Sequence, residues 1–144
     1  MTTIKLFTII FIFICSTTFA QTQMFWNAID IPFHALITRF GVPDDIEYQD
    51  DCSYFMAYKY GDKSVVYVID KAVVTSILYL EKIEVYNDAK QSFIQWDLVS
   101  AEDGFTTLDK DVMFFQKNRN TTQLKAKLVE QFDGFFIAIE IKKI

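Results

Sequence analysis

The chain has 144 residues, a formal net charge of −5, two cysteines and four glycines, and 51% of its residues are hydrophobic and 17% aromatic. That composition excludes a disordered chain and a disulfide-stapled miniprotein. The acidic balance gains nothing from phosphate neutralisation, so neither nucleic acid nor an anionic lipid surface is an expected partner.

Residues 1–20, MTTIKLFTIIFIFICSTTFA, have the three parts of a secretory signal. Lys5 supplies the cation, an apolar run extends from Leu6 to Cys15, and small side chains at Thr18 and Ala20 predict cleavage before Gln21. The apolar run is about half the roughly 20 residues that a spanning helix needs, so no stable membrane insertion is expected after cleavage. Bulky Ile14 ahead of Cys15 departs from the small residue that precedes a lipidated cysteine, so a lipid-anchored form is not expected. Cleavage leaves 124 of the 144 residues, enough for one domain. With Lys5 lost and no acid lost, its net charge moves from −5 to −6. The expected location is periplasmic or extracellular. Cys52 is then the sole cysteine. No intrachain disulfide can form, and a small buried hydrophobe is its expected role.

Residues 21–29 read as a loose leader, and 30–144 as a single domain. Asp30 is placed to cap a helix, Pro32 is tolerated in its first turn, and Phe33, Leu36, Ile37 and Phe40 share one helical face. Gly41 and Pro43 end it. The acidic stretch PDDIEYQDD follows as an exposed loop. From Tyr54 the period switches to two: 54–60, 64–69 and 73–80 read as strands joined by short turns at Gly61-Asp62 and Asp70-Lys71. In the third of these Val73, Thr75, Ile77 and Tyr79 share a face.

The order then repeats. Asn87 is placed to cap a helix that directs Phe93, Ile94 and Leu98 to the core and ends at Gly104. A short strand over 112–116 follows. A hairpin of 124–132 with 135–144 turns at Asp133-Gly134, and Phe135, Ile137, Ile139 and Ile141 alternate onto one face. The predicted fold is α+β, an antiparallel sheet built from two α-β-β-β units, 30–83 and 87–144, with the helices packed on one face.

A helix ending in FGVP, an acidic gap and three strands containing YFMAYKY, SVVYVID and VVTSILY resemble the BamE (SmpA/OmlA) family of outer-membrane assembly lipoproteins. They also resemble the related β-lactamase inhibitor protein-like fold of two tandem α-β units. The resemblance covers 30–80 and, more loosely, 87–144. It implies an exported module that binds other proteins through its sheet and loops.

The residues themselves offer little catalytic material. His34 is the single histidine, with Asp30 four residues earlier on the same helical face. A small hydrolase using His34 with carboxylates is therefore one alternative. No nucleophile elbow, zinc-protease or phosphate-loop motif is present, and one His with one Cys cannot furnish a zinc site. No cofactor or metal is expected. Asp45, Glu47 and Asp50 carry oxygens that suit calcium, but their spacing is not that of an EF-hand.

Two clusters suit protein contact. Asp44, Asp45, Glu47, Asp50 and Asp51 would steer a basic partner. Tyr54, Tyr58 and Tyr60 alternate onto one strand face, opposite Phe55 and Lys59, as aromatic anchors. The functional expectation is a non-enzymatic protein-binding module of the envelope-accessory type, its partner a basic or envelope-located protein. An inhibitor or immunity protein that neutralises a toxin or enzyme is the alternative.

Overall fold

The computed structural model describes residues 25–144; the signal segment and its cleavage site lie outside the described residues. A short 3-10 helix over Phe25–Ala28 leads to helix α1 (Phe33–Phe40). Four strands follow: β1 (Asp45–Tyr48), β2 (Tyr54–Tyr60), β3 (Lys63–Asp70) and β4 (Val73–Ile83). Helix α2 (Tyr86–Glu102) precedes the last four: β5 (Thr106–Asp111), β6 (Phe114–Arg119), β7 (Thr122–Gln131) and β8 (Gly134–Lys143). All eight pair antiparallel in one sheet, in the order β1-β2-β3-β4-β8-β7-β6-β5.

This corrects the expected α+β arrangement of two α-β-β-β units. Of the described residues 52% are strand and 24% helix, and a single sheet dominates the molecule. The physical reason lies in the edges. Residues of β1 and β5 are exposed on both faces, so neither DIEY nor TTLDKD carries the period-two burial signal that betrays a strand. What read as an acidic loop is in part the edge strand β1, paired to β2 from Asp45 opposite Ala57 to Tyr48 opposite Tyr54.

Both helices lie on one face. Leu36 of α1 is buried, and Phe40 stacks on Tyr67 with ring centroids 5.8 Å apart. Trp96 of α2 packs on Tyr79 at 5.0 Å, and Phe93 on Phe115 at 5.0 Å. Ile137, Ile139 and Ile141 continue the same surface on β8. On β4 the buried set is Val74, Ile77, Tyr79 and Glu81 rather than Val73, Thr75, Ile77 and Tyr79. Ile69 pairs Val74 while Val68 pairs Ser76, so Thr75 is the extra residue of a bulge that shifts the phase.

Four local expectations need correction. Residues 25–29 are no loose leader: Phe25 and Trp26 sit in the core against Tyr79, Trp96 and Phe105. Asp30 does not cap α1. It has a left-handed φ of 69°, and Pro32 holds the cap position. Asn87 lies inside α2, which Val85 precedes. The buried stripe of α2 is Ala89, Phe93, Trp96 and Ser100, which leaves Ile94 and Leu98 about half exposed, at 49% and 54%. Trp96 wins that stripe because it meets both Tyr79 and Phe25, burying more area than Ile94 or Leu98 would.

Candidate functional site

The sheet face opposite the helices has no covering element among the described residues. Alternation along each strand assigns its residues. β2 contributes Phe55, Ala57 and Lys59, and β3 Ser64, Val66 and Val68. Leu78 and Leu80 come from β4, Phe136, Ala138 and Glu140 from β8, and Lys125 and Lys127 from β7. Registers align them in rows across the sheet. One runs Asp45, Ala57, Val66, Leu78, Glu140, Lys125, Gln116 and Asp109. The next runs Lys59, Ser64, Leu80, Ala138, Lys127, Phe114 and Asp111.

Chemically the rows form bands. Acid stands on the β1 edge at Asp45 and Glu47, apolar side chains occupy β2 to β4, lysines stand on β7, and acid returns at Asp109 and Asp111 on β5. A shallow pocket of about 270 Å³ lies between Leu78, Lys125, Lys127, Ala138 and Glu140.

The residues singled out in the sequence part company here. Tyr58 is only 3% exposed, on the helix-covered face, and its hydroxyl donates to the Gly41 carbonyl at 2.8 Å. Burial, then Tyr60 and Asp44 nearby, push that hydroxyl's pKa up. Tyr54 is half-buried between Phe33 and Tyr48, 6.2 and 5.7 Å away between centroids. Of the three, Tyr60 alone is widely exposed, at 53%. Tyr58 is thus a core side chain that closes the exit of α1, not an accessible anchor.

The acids Asp44, Asp45, Glu47, Asp50 and Asp51 are all exposed. Two do local structural work. Asp44 accepts from the Lys59 backbone N–H at 2.6 Å. Asp51 accepts from the backbone N–H and hydroxyl of Ser53, and those bonds hold its carboxyl below the ordinary range. Cys52 follows in that turn, exposed and left-handed, which corrects its expected burial. His34 is exposed on α1, and the Asp30 carboxylate pairs with Lys143 at 2.5 Å, so the His–carboxylate pairing of the hydrolase alternative is not made.

Sequence reasoning missed the polar groups that pin helices to sheet. Glu81 is 8% exposed and makes no ion pair among the described residues. It accepts from Tyr79 Oη at 2.7 Å, Trp96 Nε1 at 3.2 Å and Ser92 Oγ at 3.1 Å. Lys117, 1% exposed, reaches the Asp97 carboxylate at 2.5 Å and the Asp97 carbonyl at 2.7 Å. Arg119 bonds the Asp103 carboxylate and Asn27 and lies over the Phe105 ring, while Trp26 Nε1 donates to the same carboxylate. Glu81 and Lys117 are thus buried charges with their partners supplied, and the Arg119–Asp103 group is a partly buried counterpart. The signal was available for Glu81, Lys117 and Arg119, as charges at strand positions in phase with buried neighbours.

No family model matches the chain, and no curated protein matches it. Solved structures do. A cysteine-rich secretory protein of Staphylococcus aureus aligns at TM-score 0.48 and 8% identity, over 81% of this chain and 45% of its own. An extracellular SCP-domain protein of Bacillus anthracis aligns at TM-score 0.49 and 12% identity, over 81% and 44%. The chain thus spans less than half the length of either. The resemblance to BamE and to the β-lactamase inhibitor protein is therefore corrected: no family model supports it. That resemblance rested on a helix stop and three hairpin strands, chemistry that any antiparallel sheet after a helix shares. Among the described residues no helix is long and apolar enough to cross a membrane.

Proposed function

We propose that the chain is an exported, non-enzymatic protein-binding module, and that its contact surface is the sheet face the helices leave uncovered. One observation carries this reading: Phe55, Val66, Val68, Leu78, Leu80 and Phe136 converge on a face that no element of the described chain covers. Apolar side chains gathered on an open surface mark interaction sites more often than they mark solvent. The polar bands on both sides supply the rim that such contacts have. Export is supported by the N-terminal signal pattern. The acidic edge at Asp44, Asp45, Glu47, Asp50 and Asp51, with Tyr60 beside it, would meet a basic part of the partner.

The test is affinity capture from envelope extract and culture medium with three proteins: wild type, Leu78→Glu with Val66→Glu, and Leu98→Glu on the outer side of α2. The reading expects a protein retained by wild type and by Leu98→Glu but lost from the double variant. Capture that survives the double variant overturns it. Identifying the retained protein as an assembly component or as a toxin or enzyme separates the accessory role from the inhibitor role.

A further inference from the structure

Lys125 and Lys127 point from β7 onto the uncovered face, opposite Glu140 and Ala138 of β8. Neither makes an ion pair among the described residues, and residues 1–24 contain no acid that could supply one. Glu140, the register partner of Lys125, is 3.7 Å from Lys142 instead. In a chain of net charge −5, an unpaired lysine pair beside an apolar band is out of character with the whole. The open pocket between the lysines and Leu78 has a volume of about 270 Å³.

We propose that this face receives a partner protein whose contact surface mixes apolar side chains with carboxylates, the carboxylates lying over Lys125 and Lys127 and the apolar groups over Leu78, Leu80 and Val66. The proposal rests on the reading of the uncovered face as the contact surface. Charge complementarity selects this occupant over two others. A flat anionic bilayer would press on Asp45, Glu47, Asp109 and Asp111 as well as on the lysines, and those acids repel it. A shaped protein surface can set its carboxylates over β7 alone. A second copy of this chain, turned over about an axis across the strands so that apolar band meets apolar band, would lay lysine on lysine and acidic edge on acidic edge. Turned over about an axis along β3, it would lay Glu140 on Asp45. Like charges directly opposed cost affinity. The alternating bands fix the partner's orientation as well as its chemistry, because a shift of one strand toward β4 sets carboxylates against Glu140 of β8, and a shift of two strands the other way sets them against Asp109 and Asp111 of β5.

The test uses the protein purified after export, isotopically labelled, and three ten-residue peptides that alternate Leu with Glu, Gln or Lys. Phosphatidylserine vesicles form a fourth arm. The Glu peptide should bind about fivefold tighter than the Gln peptide, the worth of two partly exposed ion pairs. Its amide shifts should fall on β3, β4, β8 and β7. Lys125→Gln with Lys127→Gln should bring the Glu and Gln peptides level, and Lys125→Glu with Lys127→Glu should reverse the order in favour of the Lys peptide. The amide spectrum of each free variant shows that it folds. Equal affinity of Glu and Gln peptides for the face overturns the charge assignment while the contact-surface reading stands. Shifts confined to β1, α1 or α2 overturn both. Vesicle binding that protects the β7 and β8 amides overturns the choice of a protein partner, and a concentration-dependent dimer that protects them assigns the face to a second copy and overturns it equally.

Discussion

The two faces of the one sheet are built from alternate residues of the same strands, yet they solve opposite problems. On β4, Tyr79 is buried against Trp96 and Phe25, while Leu78 and Leu80, one residue either side, are only half-buried. On β7, Leu124, Ala126 and Leu128 are buried while Lys125 and Lys127 face outward without ion pairs. Where the covered face holds charge, at Glu81 and Lys117, every such group has its hydrogen-bond partners within the chain. The difference teaches that the covered face satisfies its own polar groups and buries its apolar ones, whereas the open face leaves apolar area and lysine charge that no described element covers.

The comparison can be broken most forcefully at Trp26. If the segment before α1 belongs to the covered face, Trp26→Ala should destabilise the protein by about 4 kcal/mol, the usual cost of emptying a buried aromatic site. Denaturant unfolding measures it. A cost below about 1 kcal/mol would return 25–28 to a loose leader.

A matched pair sharpens the contrast. Ile139→Ala on the covered face should cost about 3 kcal/mol, and Leu78→Ala on the open face about 1 kcal/mol or less. Equal costs would mean that the open face is a second core. The same measurement on Tyr58→Phe should show a loss of about 1 kcal/mol, the net worth of its bond to Gly41, with no loss of partner capture.

Glu81 tests whether the covered face tolerates charge only when it is satisfied. Glu81→Leu leaves Tyr79, Trp96 and Ser92 without their acceptor and should cost about 2 kcal/mol. Glu81→Gln keeps an acceptor oxygen and should cost about half as much. If Glu81→Leu is neutral, the three donors are not holding α2 to β4.

How far the sequence disclosed all this depended on one-sided burial. Ile137, Ile139 and Ile141 alternate with Ala138 and Glu140 because one side of β8 is covered and the other is not, and that asymmetry is visible as a period of two. β1 and β5 are edge strands exposed on both sides, so their pairing exists in backbone hydrogen bonds that no side-chain pattern records. The Tyr54, Tyr58 and Tyr60 row was legible as a row, but which side the helices would take was not. Tyr58 is half apolar ring and half polar tip, and serves a core or an interface equally well. The uncovered face itself was hidden for a related reason. Leu78 and Lys125 lie 47 residues apart, and only the β4–β8–β7 registers bring them to one pocket.

The smallest effect concerns acid, and it isolates one tie between α2 and the far strands. Asp97 receives Lys117 from β6 and Lys110 from β5, at 2.5 and 2.6 Å. Burial works to raise its carboxyl pKa, and the hydrogen bonds and charges of Lys110 and Lys117 outweigh burial, so the group sits below its ordinary value of 3.8. A depressed folded value means that the unfolded chain takes up the proton first. The stabilisation is therefore fully present above about pH 4 and is lost as pH falls through the lower, folded value. Asp97→Asn removes that linkage, so the variant should be less stable than wild type at neutral pH and the gap should narrow below pH 4. Lys110→Ala should narrow the gap less, because Lys110 is exposed and screened while Lys117 is buried beneath it. Thermal unfolding from pH 7 to pH 3 reads both slopes. Parallel curves for wild type and Asp97→Asn would show that α2 is held to β5 and β6 by packing alone, chiefly Phe93 on Phe115, and that the buried lysine is not part of what keeps the covered face closed.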